Sequence, residues 1–420
     1  TLTINDDDPA PLAGQTDVSF MVSVDGPVFA VAVYTNLSRP DLLGKILIGG
    51  DFQTVNGTSR NRLARLNRDG SIDPSWNAAA GADDDVLDIE ITADDQVLVG
   101  GFFTRINGFT HNRIARLTES GTIDGSFNVG TGANSLVNDL AIQADGKILV
   151  GGSFTDVGGV SANFLARLAP DGQADPTFTP GQGPNAQVND IAILPDGGLI
   201  IGGDFTSYNG IPSARLTRLQ TNGLPDAGFA AQLGSGVDGR VLSIAVQQQT
   251  NIVIGGQFSR VNGLNHLNMA RLNGAGAVDG SFTASADGAV NAIAIGPNGE
   301  IVVAGAFALV NGHLRGRVAR LDAGGGIDAT INLGSGANGL VSAAAIQFYD
   351  DQIILGGDFT SFADEAHDRM VRVHGRSSTG AGQISFVSAS FPISESGNAE
   401  VRVSRNGPSQ GTVTVQALTM

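Results

Sequence analysis

The chain has 420 residues, a formal charge of −17, 59 glycines and no cysteine. That acidity disfavours a phosphate-backbone partner, and the lack of cysteine removes disulfides, thiolate catalysis and Cys-based zinc sites together. No apolar run reaches the roughly 18 residues of a membrane span, and an apolar content of 41 % excludes disorder over most of the chain.

The chain begins inside a strand, Thr3-Ile4-Asn5, followed by Asp6-Asp7-Asp8, and reads as a piece of something longer. A lone Asp17-Val18-Ser19-Phe20 comes next, and then a repeat sets in. Its landmark is a small-small-x-Phe signature, first seen at Gly49-Gly50-Asp51-Phe52 and last at Gly356-Gly357-Asp358-Phe359. Seven copies occur, 49 to 53 residues apart.

An arginine follows every landmark phenylalanine by 13 residues, from Arg65 to Arg372. Six of these arginines are followed eight residues later by an aspartate, as Arg167 is by Asp175. The seventh, Arg372, has no such partner downstream. The missing piece is the early Asp17-Val18-Ser19-Phe20, so the N-terminus supplies the strand that the last repeat lacks. That displacement predicts a closed ring in place of a capped solenoid.

Within one unit, Val137–Ile142 alternates as a short strand and Asp145-Gly146 is a hairpin turn. Lys147–Phe154 is nearly all apolar, hence a strand buried on both faces. A turn follows that carries Asn-Gly in five units. Phe164–Leu168 is the third strand and Gln173–Phe178, after Asp171-Gly172, the fourth. The fold expected is all-β: a seven-bladed β-propeller of four-stranded antiparallel blades over residues 12–376, closed by an N-terminal strand, with β-sandwich fragments at both ends. In each blade the arginine and the aspartate face each other across the last hairpin, and Asp17 takes that place for Arg372.

The apolar-Gly-Gly-x-Phe strand, the Asn-Gly turn, the Leu-Ala-Arg-Leu strand and the Asp-x-Ser-Phe tail resemble the delta-60 repeat family of large bacterial proteins, over residues 17–376. That resemblance implies a propeller and no defined activity. Residues 383–420 are similar to the start of a Calx-beta domain, through Gly382-Gln383-Ile384-Ser385-Phe386, Ile393-Ser394-Glu395-Ser396-Gly397 and Val401-Arg402-Val403-Ser404-Arg405. Residues 1–11 look like the closing strand of another. The resemblance implies calcium as the cofactor and Glu395 as a ligand. Each sandwich is cut off, so a complete calcium site is not expected here; the cut edges could pair, within a chain or between neighbouring chains.

Catalytic motifs are sparse. Gly407-Pro408-Ser409-Gln410-Gly411 matches a nucleophile elbow but sits between strands, where no helix follows. Gly130-Thr131-Gly132-Ala133-Asn134 and Gly334-Ser335-Gly336-Ala337-Asn338 join repeats and open no helix. His111, His266 and His367 occupy equivalent loops in separate repeats, too far apart to share a metal. The channel is the best candidate site. The third position of the innermost strand is Asp88, Asp139 and Asp190 in three successive units, with Asn138 and Asn189 one residue earlier. Such an arc could hold a cation or polar ligand at the channel mouth, or be a solvated rim, or cap nearby backbone amides.

The function expected is a non-catalytic scaffold or binding module of a large bacterial secreted or cell-surface protein, presenting loops to protein or glycan partners. The alternative is a propeller hydrolase acting on a sugar or small ester through the channel aspartates.

Overall fold

Each repeat turns its alternating apolar pattern into the same three-stranded antiparallel sheet, ordered inner–middle–outer, and seven such sheets occur among the described residues. These residues are 2–6, 11–76, 80–248, 250–348, 350–376, 383–386, 403–406 and 411–415 of a computed structural model. In the third repeat the inner strand is Val137–Ile142, the middle Ile148–Gly152 and the outer Leu165–Leu168. The middle strand is buried at every position, because sheets stack against both of its faces. Gly146 closes the first hairpin at φ 81°, a left-handed conformation that glycine adopts without a Cβ clash. Each inner strand carries a β-bulge just after its leading valine, as between Val137 and Asp139.

The expected fourth strand is not a full strand. After the second turn it makes one bridge, Leu168 to Ala174 in the third repeat, through the bonds Ala169 N–H to Gln173 C=O and Asp175 N–H to Arg167 C=O. Asp175 then accepts the N–H and the hydroxyl of Thr177, and this local turn takes the backbone off the sheet before a ladder can grow. The predicted Asn-Gly turn is also more than a turn. It is the tip of a separate two-stranded ribbon, Arg105–Ile106 with Phe109–Thr110 in the second repeat. Each unit is therefore a three-stranded sheet plus a two-stranded ribbon. The fourth repeat adds a short helix, Ala227–Leu233, started by Asp226, which accepts the N–H groups of Gly228 and Phe229.

Sheet-to-sheet distance is set by the glycine pair. A Cβ on Gly49 would lie 2.6 Å from Val86 Cγ1 of the next repeat, and one on Gly50 would lie 2.1 Å from the Pro27 carbonyl oxygen of its own sheet. The first glycine lets neighbouring sheets approach; the second lets the inner strand cross. The same contact joins the last repeat to the first, where a Cβ on Gly356 would meet Val28 Cγ1 at 2.7 Å. Val28, Ile46 and Ile48 share one apolar cluster with Ile354 and Met370. Thr16 bridges Val373, and Asp17 N–H donates to Arg372 C=O. Outside the repeats, Leu2–Asp6 pairs antiparallel with Gly411–Val415, and Gln383–Phe386 with Val403–Asn406. Glu395, Asp7 and Asp8 lie outside the described residues. No helix among the described residues is long and apolar enough to cross a membrane.

Candidate functional site

The recurrent arginine is the hub of each repeat. Arg167 donates from Nε to Asp175 Oδ2 at 2.8 Å, from Nη2 to Thr177 Oγ1 at 3.1 Å, and from Nη1 to the Thr221 carbonyl in the following repeat. Its guanidinium lies 4.7 Å from the Phe178 ring centroid. The bond into the next repeat is made by all seven arginines, and by Arg372 to the Arg68 carbonyl of the first repeat at 2.6 Å. Arg372 completes the pattern with two bonds to Asp17 Oδ2, at 2.9 and 2.7 Å, and with the Phe20 ring 4.7 Å away. Burial alone would raise the Asp17 pKa. The Arg372 charge and the bonds from Ser19 and Arg372 outweigh it and hold Asp17 below the usual carboxylate range. Arg218 departs from the pattern. It turns to Asp196 and stands 3.6 Å from Asp226, whose Oδ1 is committed to the helix start.

Asp88, Asp139 and Asp190 turn across the repeat boundaries. Asp88 Oδ2 accepts the Leu140 N–H at 2.8 Å, Asp139 the Ile191 N–H at 2.8 Å, and Asp190 the Ile244 N–H at 2.6 Å. Ser243 continues the series, accepting from Ile293 N–H at 3.1 Å. An innermost strand has one edge without a sheet neighbour, and these side chains serve its amides. The equivalent positions Ala30, Ala292 and Ala343 have nothing to offer. Asn138 and Asn189 donate to the next repeat at the Val188 and Val241 carbonyls, both at 2.8 Å.

Glu90 joins these acids two residues beyond Asp88, where every other repeat has alanine. Burial raises the whole group, Asp88 to about 7 and Asp190 to about 6. Asp139 and Glu90 also rise, through burial and then through the charges of neighbouring carboxylates. The result is four carboxyls whose charged forms are all disfavoured by burial, and in Asp88, Asp139 and Glu90 by neighbouring carboxylates as well. Among the described residues, no group of three His, Cys, Asp or Glu could hold a metal ion. His111, His266 and His367 sit in equivalent ribbons, each held below the usual histidine range mainly by burial.

Two recurrent sets escaped the sequence reading. Three residues before each leading valine stands an Asp or Asn that accepts two successive N–H groups at the ribbon base. Asp83, for example, takes Thr104 and Arg105, both at 2.8 Å, and Asn134 takes Thr155 and Asp156. The glycine-rich joins thus position a ribbon. The second set is Arg62, Arg113, Arg215, Arg317 and Arg369, all at φ between 60° and 68°. Three of them, Arg113, Arg215 and Arg317, bond the carbonyl of Ala133, Val237 or Ala337 in the next repeat. A side chain retained at a left-handed position offsets a strain of about 1 kcal/mol or more. Both sets are visible as fixed offsets from the valine and the phenylalanine.

On the ribbons, apolar residues are exposed at matching positions: Phe109 (63 %), Val160 (51 %), Ile211 (58 %) and Leu264 (53 %), with Leu314 (77 %) one place later.

The family model described as "Domain of unknown function (DUF5122) beta-propeller" matches six segments: 44–75, 92–127, 143–178, 194–229, 251–282 and 296–330. A comparison with curated proteins gives no match. Among solved structures, the WD40 beta propeller domain of Doa1 aligns with a TM-score of 0.50 at 16 % identity, covering 84 % of this chain and 95 % of that one. The extracellular domain of BT4673, a putative one component system from B. thetaiotaomicron, aligns with a TM-score of 0.50 at 12 % identity. It covers 92 % of this chain, which spans 45 % of that one. At these identities the likeness is one of fold: a propeller.

Proposed function

We propose, for a chain carrying the DUF5122 beta-propeller repeat from residue 44 to 330, a ring of seven blades closed by Asp17 on Arg372, working as a non-catalytic scaffold outside a bacterial cell. One observation carries this reading. The charged residues that recur in every repeat are spent on blade-to-blade bonds, while the ribbons hold apolar side chains out on fixed bases. A rigid ring with exposed Phe109, Val160, Ile211 and Leu264 suits display to a protein or glycan partner. In this reading Asp88, Asp139 and Asp190 clamp blades. The acidic, cysteine-free composition suits the secreted or surface location.

The test is capture from cell-envelope extracts and on a glycan array, comparing wild type with the triple variant Phe109→Ser, Val160→Ser, Ile211→Ser. A partner retained by wild type and lost by the variant supports display through the ribbons. Turnover of a sugar or ester substrate that disappears in Asp139→Asn would replace the scaffold reading by an enzymatic one.

A further inference from the structure

Three repeats carry a glutamine at the end of the inner strand: Gln143, Gln247 and Gln347. In two of them the carboxamide is a plug between neighbouring units. Gln247 is fully buried. Its Oε1 accepts from Arg271, and its Nε2 donates to the Gly299 carbonyl at 2.7 Å and the Ala323 carbonyl at 3.1 Å, both in the next repeat. Gln347, also fully buried, accepts from Arg372 and donates to the Gly44 carbonyl of the first repeat.

Gln143 makes only the first half of this arrangement. Its Oε1 accepts from Arg167 at 3.3 Å. The residues matching Gly299 and Ala323 are Gly197 and Thr221, and among the described residues no bond reaches either of them from Gln143 Nε2. The reason lies in the backbone. Inner strands five and seven continue to the glutamine, as Arg240–Gln247 and Leu340–Gln347, whereas the third ends at Ile142. Gln143 belongs to a tight turn, with Gly146 N–H donating to its carbonyl, and its side chain is half-buried.

Where the plug is missing, a groove of about 760 Å³ opens between the third and fourth repeats. Gln143, Gly197 and Thr221 line it, together with Leu194 and Pro195. The charged side chains around it cancel, since Arg167 and Lys147 both bond Asp175 and Lys147 stands 3.6 Å from Asp145. The groove is therefore neutral, has Leu194 and Pro195 in its lining, and holds Gln143 with its amide donor and Gly197 with its carbonyl acceptor. The sister junctions show what fits such a pair: an amide, which supplies an acceptor and a donor together.

We propose that this groove binds an extended, neutral peptide segment of a partner protein, with one main-chain amide set between Gln143 and Gly197 and an apolar side chain against Leu194 and Pro195. The groove is separate from the exposed ribbons, so it stands or falls apart from display through them.

The probe is N-acetyl-leucine-N′-methylamide, the smallest molecule with the required amide and side chain, followed by saturation-transfer NMR on the full chain. Transfer to the leucine methyls is expected with wild type and with the ribbon triple variant, and is expected to vanish in Gln143→Ala. Should Gln143→Ala fail to give a cooperative melt, Gln143→Met, which keeps the volume and removes the donor, is read in its place. Absence of transfer with wild type at millimolar probe, or equal transfer in the glutamine variant, overturns the proposal.

Discussion

Arg372 and Asp17, 355 residues apart in sequence, form a bidentate pair in which both side chains are buried, with bonds of 2.9 and 2.7 Å to a single carboxylate oxygen. The Nε-to-Oδ2 bond also joins Arg116 to Asp124 at 2.7 Å and Arg167 to Asp175 at 2.8 Å across only eight residues, there with Nη2 on Ser126 or Thr177. One Nε-to-Oδ2 bond kept at such different separations means the last seat is built by the units around it and only filled by the N-terminal segment.

Asp17→Ala should therefore destabilise the chain about as much as the cis equivalent Asp175→Ala, by roughly 3 kcal/mol, because each leaves a buried guanidinium without its carboxylate. Urea midpoints of the two variants provide the comparison. A wild-type midpoint for Asp17→Ala, with a lowered one for Asp175→Ala, would show that the N-terminal segment does not close the ring.

Gly202→Ala should cost about 1–3 kcal/mol by overpacking, since the added Cβ would sit 2.5 Å from Val241 Cγ1 of the next repeat. The sixth repeat has alanine at the matching position, Ala304, and accommodates it. Ala304→Gly should accordingly shift the melting temperature much less than Gly202→Ala does. Equal shifts would mean that sheet spacing is not set at this position.

Trp76, the only tryptophan, is 2 % exposed and its indole N–H has no partner among the described residues. It occupies the place that Phe127 and Phe178 fill in the next two repeats. Trp76→Phe should cost under about 1.5 kcal/mol, whereas Trp76→Ala should cost about 3–5 kcal/mol. Denaturation followed by circular dichroism separates the two, and a large loss for phenylalanine would reveal a hydrogen bond of the indole.

Stability should peak in mild acid. Asp88, Glu90, Asp139 and Asp190 have folded pKa values raised above the unfolded value of about 4. Their contribution is full below about pH 4 and is lost as pH rises through the folded values of about 6 and about 7 for Asp190 and Asp88. Asp17, Asp124 and Asp328 are shifted the other way, so their contribution is present above about pH 4 and is lost as pH falls through their depressed folded values. Melting temperatures measured from pH 3 to 8 should be highest near pH 4 to 5 and fall toward 7. In Asp139→Asn the fall between 5 and 7 should be shallower. A melting temperature that rises steadily to pH 8 would contradict the upward shift of these carboxyls.

Sequence alone determined the repeat, the strand periods and the arginine–aspartate spacing. All three follow from local rules: side chains alternate at period two, Asp-Gly turns the chain, and a residue eight places on faces back across a hairpin. The displaced Asp17-Val18-Ser19-Phe20 could be read because six complete copies define what the seventh lacks. Tertiary structure decided what each recurrent side chain touches beyond its own unit. One bond of each arginine reaches a carbonyl of the next repeat, and no spacing within a repeat encodes that neighbour. Asp88, Asp139 and Asp190 were legible as an arc, with amide capping one of the readings open to them, but which amides they cap was not, since each bond crosses to the next repeat and exists only once units are stacked. The unplugged groove beside Gln143 is the furthest from the sequence. Its residue type matches Gln247 and Gln347, and only where the strand ends determines whether the same carboxamide is buried in a junction or left facing a groove.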